Sequence, residues 1–425
     1  MSDLRGLAVA VAVLGPLLHS SGCGSNSAPK AERSGTTTSA IASDTLSTVD
    51  NYSVSVCRGS DPSSCLFRCS GTLVAPNLVL TVRHCITEAP PGTSCETDQF
   101  SSDPYPASEY WVSAAAAPTT PSGKAHRAAR IDVPMCRALC GADIALIHLE
   151  DVVPPGEATP ATPLLDPLDD WAKQNRGISV IGFGETRYGA GDFGTRRVLE
   201  GLSLQCISGS AIYPCSDEFV AESEFLVSKG GCDGDSGSGA FDSTSRRGGT
   251  ALLVGTLSRG NATTDGCFRN VYIRADRWKN MIVKAATQAA TRGAYPKPSW
   301  VVPVEQQALG AQCNAGDECA SGSCESLDRG VRFVCSQVCG PSNACPDGFS
   351  CAKLPVVSGA ASVDRCQRNA APTPSSSSSG GCATVARVAR QETPDGPPFL
   401  ALFGVAIVLA ARRLRPVSRS SSRSG

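Results

Sequence analysis

Ser236 stands in Gly230-Gly-Cys-Asp-Gly-Asp-Ser-Gly-Ser-Gly239, a glycine-dense segment with an aspartate directly before the serine. A serine hydroxyl attacks a carbonyl only when a base takes its proton, a third group orients that base, and donors face the developing oxyanion. Glycines allow the tight backbone and the close approach of amide N–H groups that such donors require. A polar surface turn has the same composition, so partners elsewhere decide between the two. The chain has four histidines, His19, His84, His126 and His148. His84 closes Cys69-Ser-Gly-Thr-Leu-Val-Ala-Pro-Asn-Leu-Val-Leu-Thr-Val-Arg-His-Cys85, and Asp143 opens Asp-Ile-Ala-Leu-Ile-His-Leu149. An aspartate at the mouth of so apolar a run is either a solvated turn residue or a buried orienter, and His84 and Ser236 favour the orienter. His126 and His148 lack a comparable context. His148, inside the apolar run, reads as a packed structural residue.

The elements that must position these groups are visible as patterns. Two apolar runs around Pro76-Asn77 predict a β-hairpin that delivers His84 at its end. Cys69 and Cys85 flank that hairpin at a distance that would staple it. The run behind Asp143 predicts a short buried strand.

Taken together, the 69–85 hairpin, Asp143-Ile-Ala-Leu146 and Gly234-Asp-Ser-Gly237 resemble the trypsin/chymotrypsin family of serine proteases. Val254-Gly-Thr-Leu-Ser-Arg-Gly260 and Val271-Tyr-Ile-Arg274 are also similar, and all occur in the family's order across roughly residues 41–290. The resemblance implies an all-β fold: a double β-barrel with the site between the barrels and a short C-terminal helix, which residues 277–284 fit. It implies Ser236 as nucleophile, His84 as base, Asp143 as orienter, and the amides of Gly234 and Ser236 as oxyanion donors. It also pairs Cys69 with Cys85, Cys206 with Cys215, and Cys232 with Cys267.

Specificity and activation depart from the family pattern. Gly230, six residues before the nucleophile, takes the place of the pocket floor where trypsin-like enzymes carry an aspartate, so cleavage after Lys or Arg is disfavoured. Ser258 and Gly260 match the segment that lines the pocket, with Arg259 where an aromatic is usual, and Asn270 replaces a small wall residue. A glycine floor with an amide inside suits a medium or polar side chain. Ile41 is the candidate mature N-terminus whose amine would pair with Asp235, but it lacks the usual glycines and follows Ala40. A zymogen, or a catalytically silent protease-fold binding protein, is therefore the alternative.

Twenty-one cysteines in 425 residues indicate an oxidising compartment. Cys57 and Cys65 read as a local loop closure, while Cys95, Cys136 and Cys140 form an odd set with no assigned pairing. No Cys-x2-Cys pair occurs, and no metal or cofactor is expected. Residues 313–366 hold eight cysteines among few apolar residues, predicting a small module stapled by four disulfides. It serves as either a binding arm or a protease-resistant spacer.

The termini read as processing segments. Residues 1–22 form a signal peptide ahead of Cys23, a candidate lipid acceptor, with ordinary signal cleavage nearby as the alternative. Residues 23–40 are a flexible propeptide or linker, 41–292 the protease domain, 293–312 a linker, 313–366 the cysteine-rich module and 367–381 a Pro/Ser/Gly linker. Residues 382–415 join Cys382, a short apolar segment and an Arg cluster, similar to a myxobacterial C-terminal sorting signal; 416–425 are tail. The apolar segment would span only roughly 20 Å as a helix, against about 30 Å of hydrocarbon core. Thirty-eight basic against 39 acidic residues give no basis for nucleic-acid binding. The expectation is a monomer, secreted or held at a bacterial cell envelope, acting on proteins or peptides.

Overall fold

The computed structural model describes residues 45–369, apart from 66, 90–93, 96–97, 102, 118–123, 217–218, 222, 264–265, 304, 327–332 and 354–363. Ile41, Cys23, Cys382 and the terminal processing segments lie outside the described residues. Six strands close the first barrel: β1 Ser53–Arg58, β2 Phe67–Ala75, β3 Leu78–Thr81, β4 Tyr110–Ser113, β5 Ala125–Asp132 and β6 Ala145–Leu149. They are joined in the order β1-β2-β3-β6-β5-β4. Its interior packs Val54, Val56, Leu73, Val79, Tyr110, Val112 and Ile147. β3 and β6 are buried along their whole length, which explains why both read as unbroken apolar runs rather than alternating ones.

Eight further strands form the second sheet: β7 Thr162–Pro163, β8 Ile178–Gly182, β9 Arg197–Leu202, β10 Leu204–Ile207, β11 Glu224–Lys229, β12 Gly239–Asp242, β13 Leu252–Thr263 and β14 Gly266–Arg274. Their order is β10-β11-β14-β13-β12-β8-β9, with β7 pairing β13. The two outer strands, β9 and β10, are separated in sequence only by Ser203. The sheet must therefore curl until its edges meet through the chain itself, which gives the second half of the double-barrel architecture. Among the described residues are two short helices, α1 Leu168–Ala172 and α2 Ser243–Arg247, and a longer one, α3 Lys279–Gly293.

The helix expected at residues 277–284 is longer than the pattern suggested, because Met281, Ile282, Ala285, Ala286 and Ala289 continue an apolar face that packs with Trp278 between the two sheets. Asn77, in the hairpin turn, donates from Nδ2 to the Ala289 carbonyl at 3.2 Å and accepts from the Tyr295 hydroxyl at 2.6 Å. The turn ahead of His84 is thus docked under the end of α3. Tyr295, Trp300 and Val301 pack on the same core, so this part of the expected flexible linker is held down by apolar contact.

All three disulfides implied by the family resemblance are present, as is Cys57–Cys65. The Cys69–Cys85 bridge closes a 16-residue separation around the β2–β3 hairpin, a loop size worth ~3 kcal/mol in chain entropy. The cysteine-rich module carries four bridges, Cys313–Cys324, Cys319–Cys335, Cys339–Cys351 and Cys345–Cys366. Two small hairpins carry them, β15 Cys324–Ser326 with β16 Phe333–Cys335 and β17 Phe349–Lys353 with β18 Asp364–Arg368.

The odd set resolves into Cys95–Cys140 and a Cys136 that is disulfide-bonded elsewhere. Every other described cysteine belongs to one of the pairs above. Peptide mapping of the unreduced chain is expected to find Cys136 in a disulfide. A free Cys136 thiol would contradict this.

Candidate active site

Register explains how residues 59 positions apart meet. β3 and β6 pair antiparallel, with Thr81 opposite Ala145. Continuing that register brings the turn after β3 alongside the residues just before β6, and there the His84 ring Nδ1 lies 2.8 Å from Asp143 Oδ2. The His84 backbone N–H donates to Asp143 Oδ1 at 2.9 Å, so ring and backbone of one residue hold both carboxylate oxygens.

The second sheet repeats the device. Gly239 pairs with Thr256 in β12–β13. Just beyond, Gly237 N–H donates to the Leu257 carbonyl at 2.9 Å, and Leu257 N–H to Ser238 at 2.8 Å. The register thus carries Gly237, next to Ser236, alongside Ser258. The Ser258 hydroxyl donates to Asp143 Oδ2 at 2.7 Å, and this bond joins the two sheets at the site.

Ser236 is seated against the first barrel. Its carbonyl accepts the Ser70 N–H at 2.8 Å and lies 3.7 Å from Cys85 Sγ, next to His84 in the chain. The Ser70 hydroxyl donates to the Gly234 carbonyl at 3.0 Å. Gly234 and Gly237 have φ of +94° and +85°, where an L side chain is strained. A Cβ on Gly237 would also collide with the Ser70 carbonyl and the Thr81 hydroxyl. The glycines flanking the Asp235-Ser236 pair are therefore required by both torsion and space.

Asp143 is 2 % exposed. Burial alone would raise its pKa, but the His84 charge and the hydrogen bonds from His84 and Ser258 outweigh it, and the pKa lies below the ordinary 3.8. Its ionised form therefore contributes stability above the ordinary carboxylate range. That contribution is lost as pH falls through the depressed value.

Asp235 has the opposite sign. It is fully buried, and desolvation pushes its pKa well above 3.8 against the pull of the Gly184 and Phe183 amides and the Arg197 charge. Its Oδ1 accepts Gly184 N–H at 2.8 Å and its Oδ2 accepts Cys232 N–H at 3.3 Å. Asp233, beside it, is pushed up to about 8 by burial and then by Glu185.

The residues expected to line a specificity pocket are together. Asn270, buried completely, donates from Nδ2 to the Gly231 carbonyl at 2.7 Å. A Cβ built on Gly260 would collide with that same amide nitrogen. The Asn270 side chain therefore crosses the space between the Gly230–Gly231 and Ser258–Gly260 walls. The amide expected on the pocket wall is thus hydrogen-bonded across to the Gly231 carbonyl. The Tyr272 hydroxyl lies beyond, 3.2 Å from where a Gly230 Cβ would be.

Three residues in the surroundings carry contacts that the sequence pattern did not assign to them. Arg83, completely buried, donates to the carbonyls of Pro134, Cys136 and Ser101 and fixes the turn that carries His84. Burial lowers its pKa to about 10, with the Asp143 charge opposing. Glu224 and Arg259 form a buried ion pair at 2.7 Å. A charge inside a strand pattern usually reads as solvent-facing, and nothing local marks these as inward. His148 is structural as expected: it is buried and bonded to Asp132 Oδ2 at 2.8 Å.

A histidine bonded to a buried aspartate, with a serine in a glycine turn seated beside them where two β-sheets join, marks a protein with a serine-protease fold. The family model described as Trypsin matches residues 44–282, more than half of the sequence, and the chain belongs to that family. No curated protein matches it.

Proposed function

We propose that this chain is a serine endopeptidase that hydrolyses peptide bonds through an acyl-enzyme. The observation that carries the reading is Asp143. A buried carboxylate that accepts the His84 ring nitrogen, the His84 amide and the Ser258 hydroxyl holds one imidazole tautomer, with the proton on Nδ1.

His84 Nε2 is then the basic nitrogen. It takes the Ser236 proton as the hydroxyl attacks the substrate carbonyl, and the Asp143 carboxylate stabilises the resulting imidazolium. The Gly234 and Ser236 amides receive the oxyanion, a contribution of about 3–4 kcal/mol per donor. His84 then passes the proton to the leaving amine. Water repeats the sequence on the acyl-enzyme, and Ser236 is regenerated.

Gly230 offers no carboxylate to a Lys or Arg side chain, and Asn270 bars the space in front of it. Both support cleavage after short, uncharged side chains. Asp235 is the acceptor for a new α-amine at Ile41 after cleavage, since such a cation would offset the desolvation of its carboxylate. The disulfide density supports a secreted or envelope-held protein.

A fluorophosphonate probe tests the reading directly. A single adduct mapped to Ser236 in the native chain, and lost after unfolding, is the expected result. If neither the full chain nor the chain cleaved near residue 40 is labelled, the catalytically silent binding protein replaces the enzyme.

A further inference from the structure

We infer that Glu224 is a positioning residue for Asp143, acting through Arg259 and through the backbone just before Asp143. The inference rests on the catalytic roles proposed above and adds a residue pair outside the Ser236, His84 and Asp143 set.

Glu224 lies at the start of β11 and is completely buried. Its carboxylate is fully used. Oε1 accepts Arg259 Nη1 and the Gly141 N–H, and Oε2 accepts Arg259 Nη2 and the Ala221 N–H, all at 2.7 Å. Gly141 is two residues before Asp143, and its carbonyl accepts the Ser223 hydroxyl at 2.6 Å. Glu224 and its neighbour thus grip both the N–H and the C=O of the peptide segment that delivers Asp143.

The second route runs through β13. Arg259 Nη1 lies 3.4 Å from the hydroxyl of Ser258, which donates to Asp143 Oδ2. The guanidinium is pinned further by the Phe219 carbonyl and stacks over the Phe219 ring at 4.6 Å. It also reaches Cys95 Sγ at 3.8 Å, and Cys95 is bridged to Cys140, next to Gly141.

Both supports of Asp143, its own loop and Ser258, therefore converge on one carboxylate. A planar bidentate Arg–carboxylate pair suits this task because it fixes orientation as well as distance. A packed apolar pair would fill the volume but leave the Gly141 and Ala221 amides without acceptors.

The test is Glu224→Gln with Arg259→Lys as the second variant, in the full chain. The glutamine keeps shape and one acceptor but turns an NH2 group toward groups that all donate. If Glu224 positions Asp143, Glu224→Gln lowers kcat about 10- to 30-fold with KM within about twofold, since the contact is made with the catalytic group and not with substrate. A less well placed Asp143 stabilises the imidazolium less, so the acid limb of kcat/KM moves to lower pH. Arg259→Lys keeps the charge but loses the fork and shifts both in the same direction by less.

The ring proton on His84 Nδ1, followed by NMR, reports the bond to Asp143 whether or not the chain turns over. A changed His84 signal in either variant supports the inference even if the native chain is not labelled by the fluorophosphonate, which would overturn only the enzyme reading. A folded Glu224→Gln chain with native kcat, native acid limb and an unchanged His84 signal overturns the positioning role. If Glu224→Gln does not fold, the same readings on Arg259→Lys decide.

Discussion

Replacing Asp143 with asparagine is expected to lower kcat by about 10⁴-fold at neutral pH, the size of effect seen when such an aspartate loses its charge but keeps its shape. The site explains why the loss should be so large. The His84 backbone N–H points at Oδ1 and demands an acceptor there. The asparagine oxygen must take that place, which turns its NH2 toward the His84 ring nitrogen that now lies 2.8 Å from Oδ2. Nδ1 would then have to accept, and the ring proton would move to Nε2. An Nε2 that already carries a proton cannot take the one from Ser236.

Stability gives an independent reading of the same residue. Since the folded pKa of Asp143 is depressed, the native chain gains stability from its ionised form at neutral pH, and the variant lacks that gain. The difference in Tm between native and Asp143→Asn chains should narrow as pH falls below the ordinary carboxylate range and through the depressed value. Steady-state kinetics and thermal unfolding across pH measure both. A kcat within tenfold of native would show that Asp143 does not set the tautomer.

The parts of this site legible in sequence were those where one chemical demand dictates local residue type. The glycines around Ser236 are forced by positive φ and by contact with Ser70 and Thr81. β3 and β6 are buried on both faces, so their apolar runs end where His84 and Asp143 must sit. Family resemblance supplied the pairing of six cysteines. Other features depend on side chains from distant strands and left no local mark. Glu224 and Arg259 lie 35 positions apart and become partners only because β11, β14 and β13 are neighbours. Asn270 was recognisable as an intruder in the pocket, but whether its amide lined the space or crossed it depended on the Gly231 carbonyl being within reach. Cys95 could be matched to Cys140 rather than Cys136 only once the loop before Asp143 had a shape.

Asn270→Gly is expected to change which peptides are cut. In the native chain the Asn270 amide spans from β14 to the Gly231 carbonyl and fills the space facing Gly260, so a long substrate side chain would have to displace a completely buried, hydrogen-bonded group. Removing it empties the space between the Gly231 carbonyl and Gly260. Burying a Leu or Phe side chain there is worth about 2–3 kcal/mol, or roughly 30- to 160-fold in kcat/KM at 1.36 kcal/mol per decade. Peptides with short side chains at the cleavage position should lose ground relative to these, because their fit no longer excludes water from that space. Lys and Arg peptides should gain far less, since no carboxylate meets their charge. The glycine also costs about 0.5–1 kcal/mol of strand stability, a modest drop in Tm that leaves the fold intact. A peptide-library profile of the two chains decides the matter. If the variant cuts the same bonds at the same relative rates as the native chain, the Asn270 side chain is not the barrier and specificity is set on the other side of the cleft.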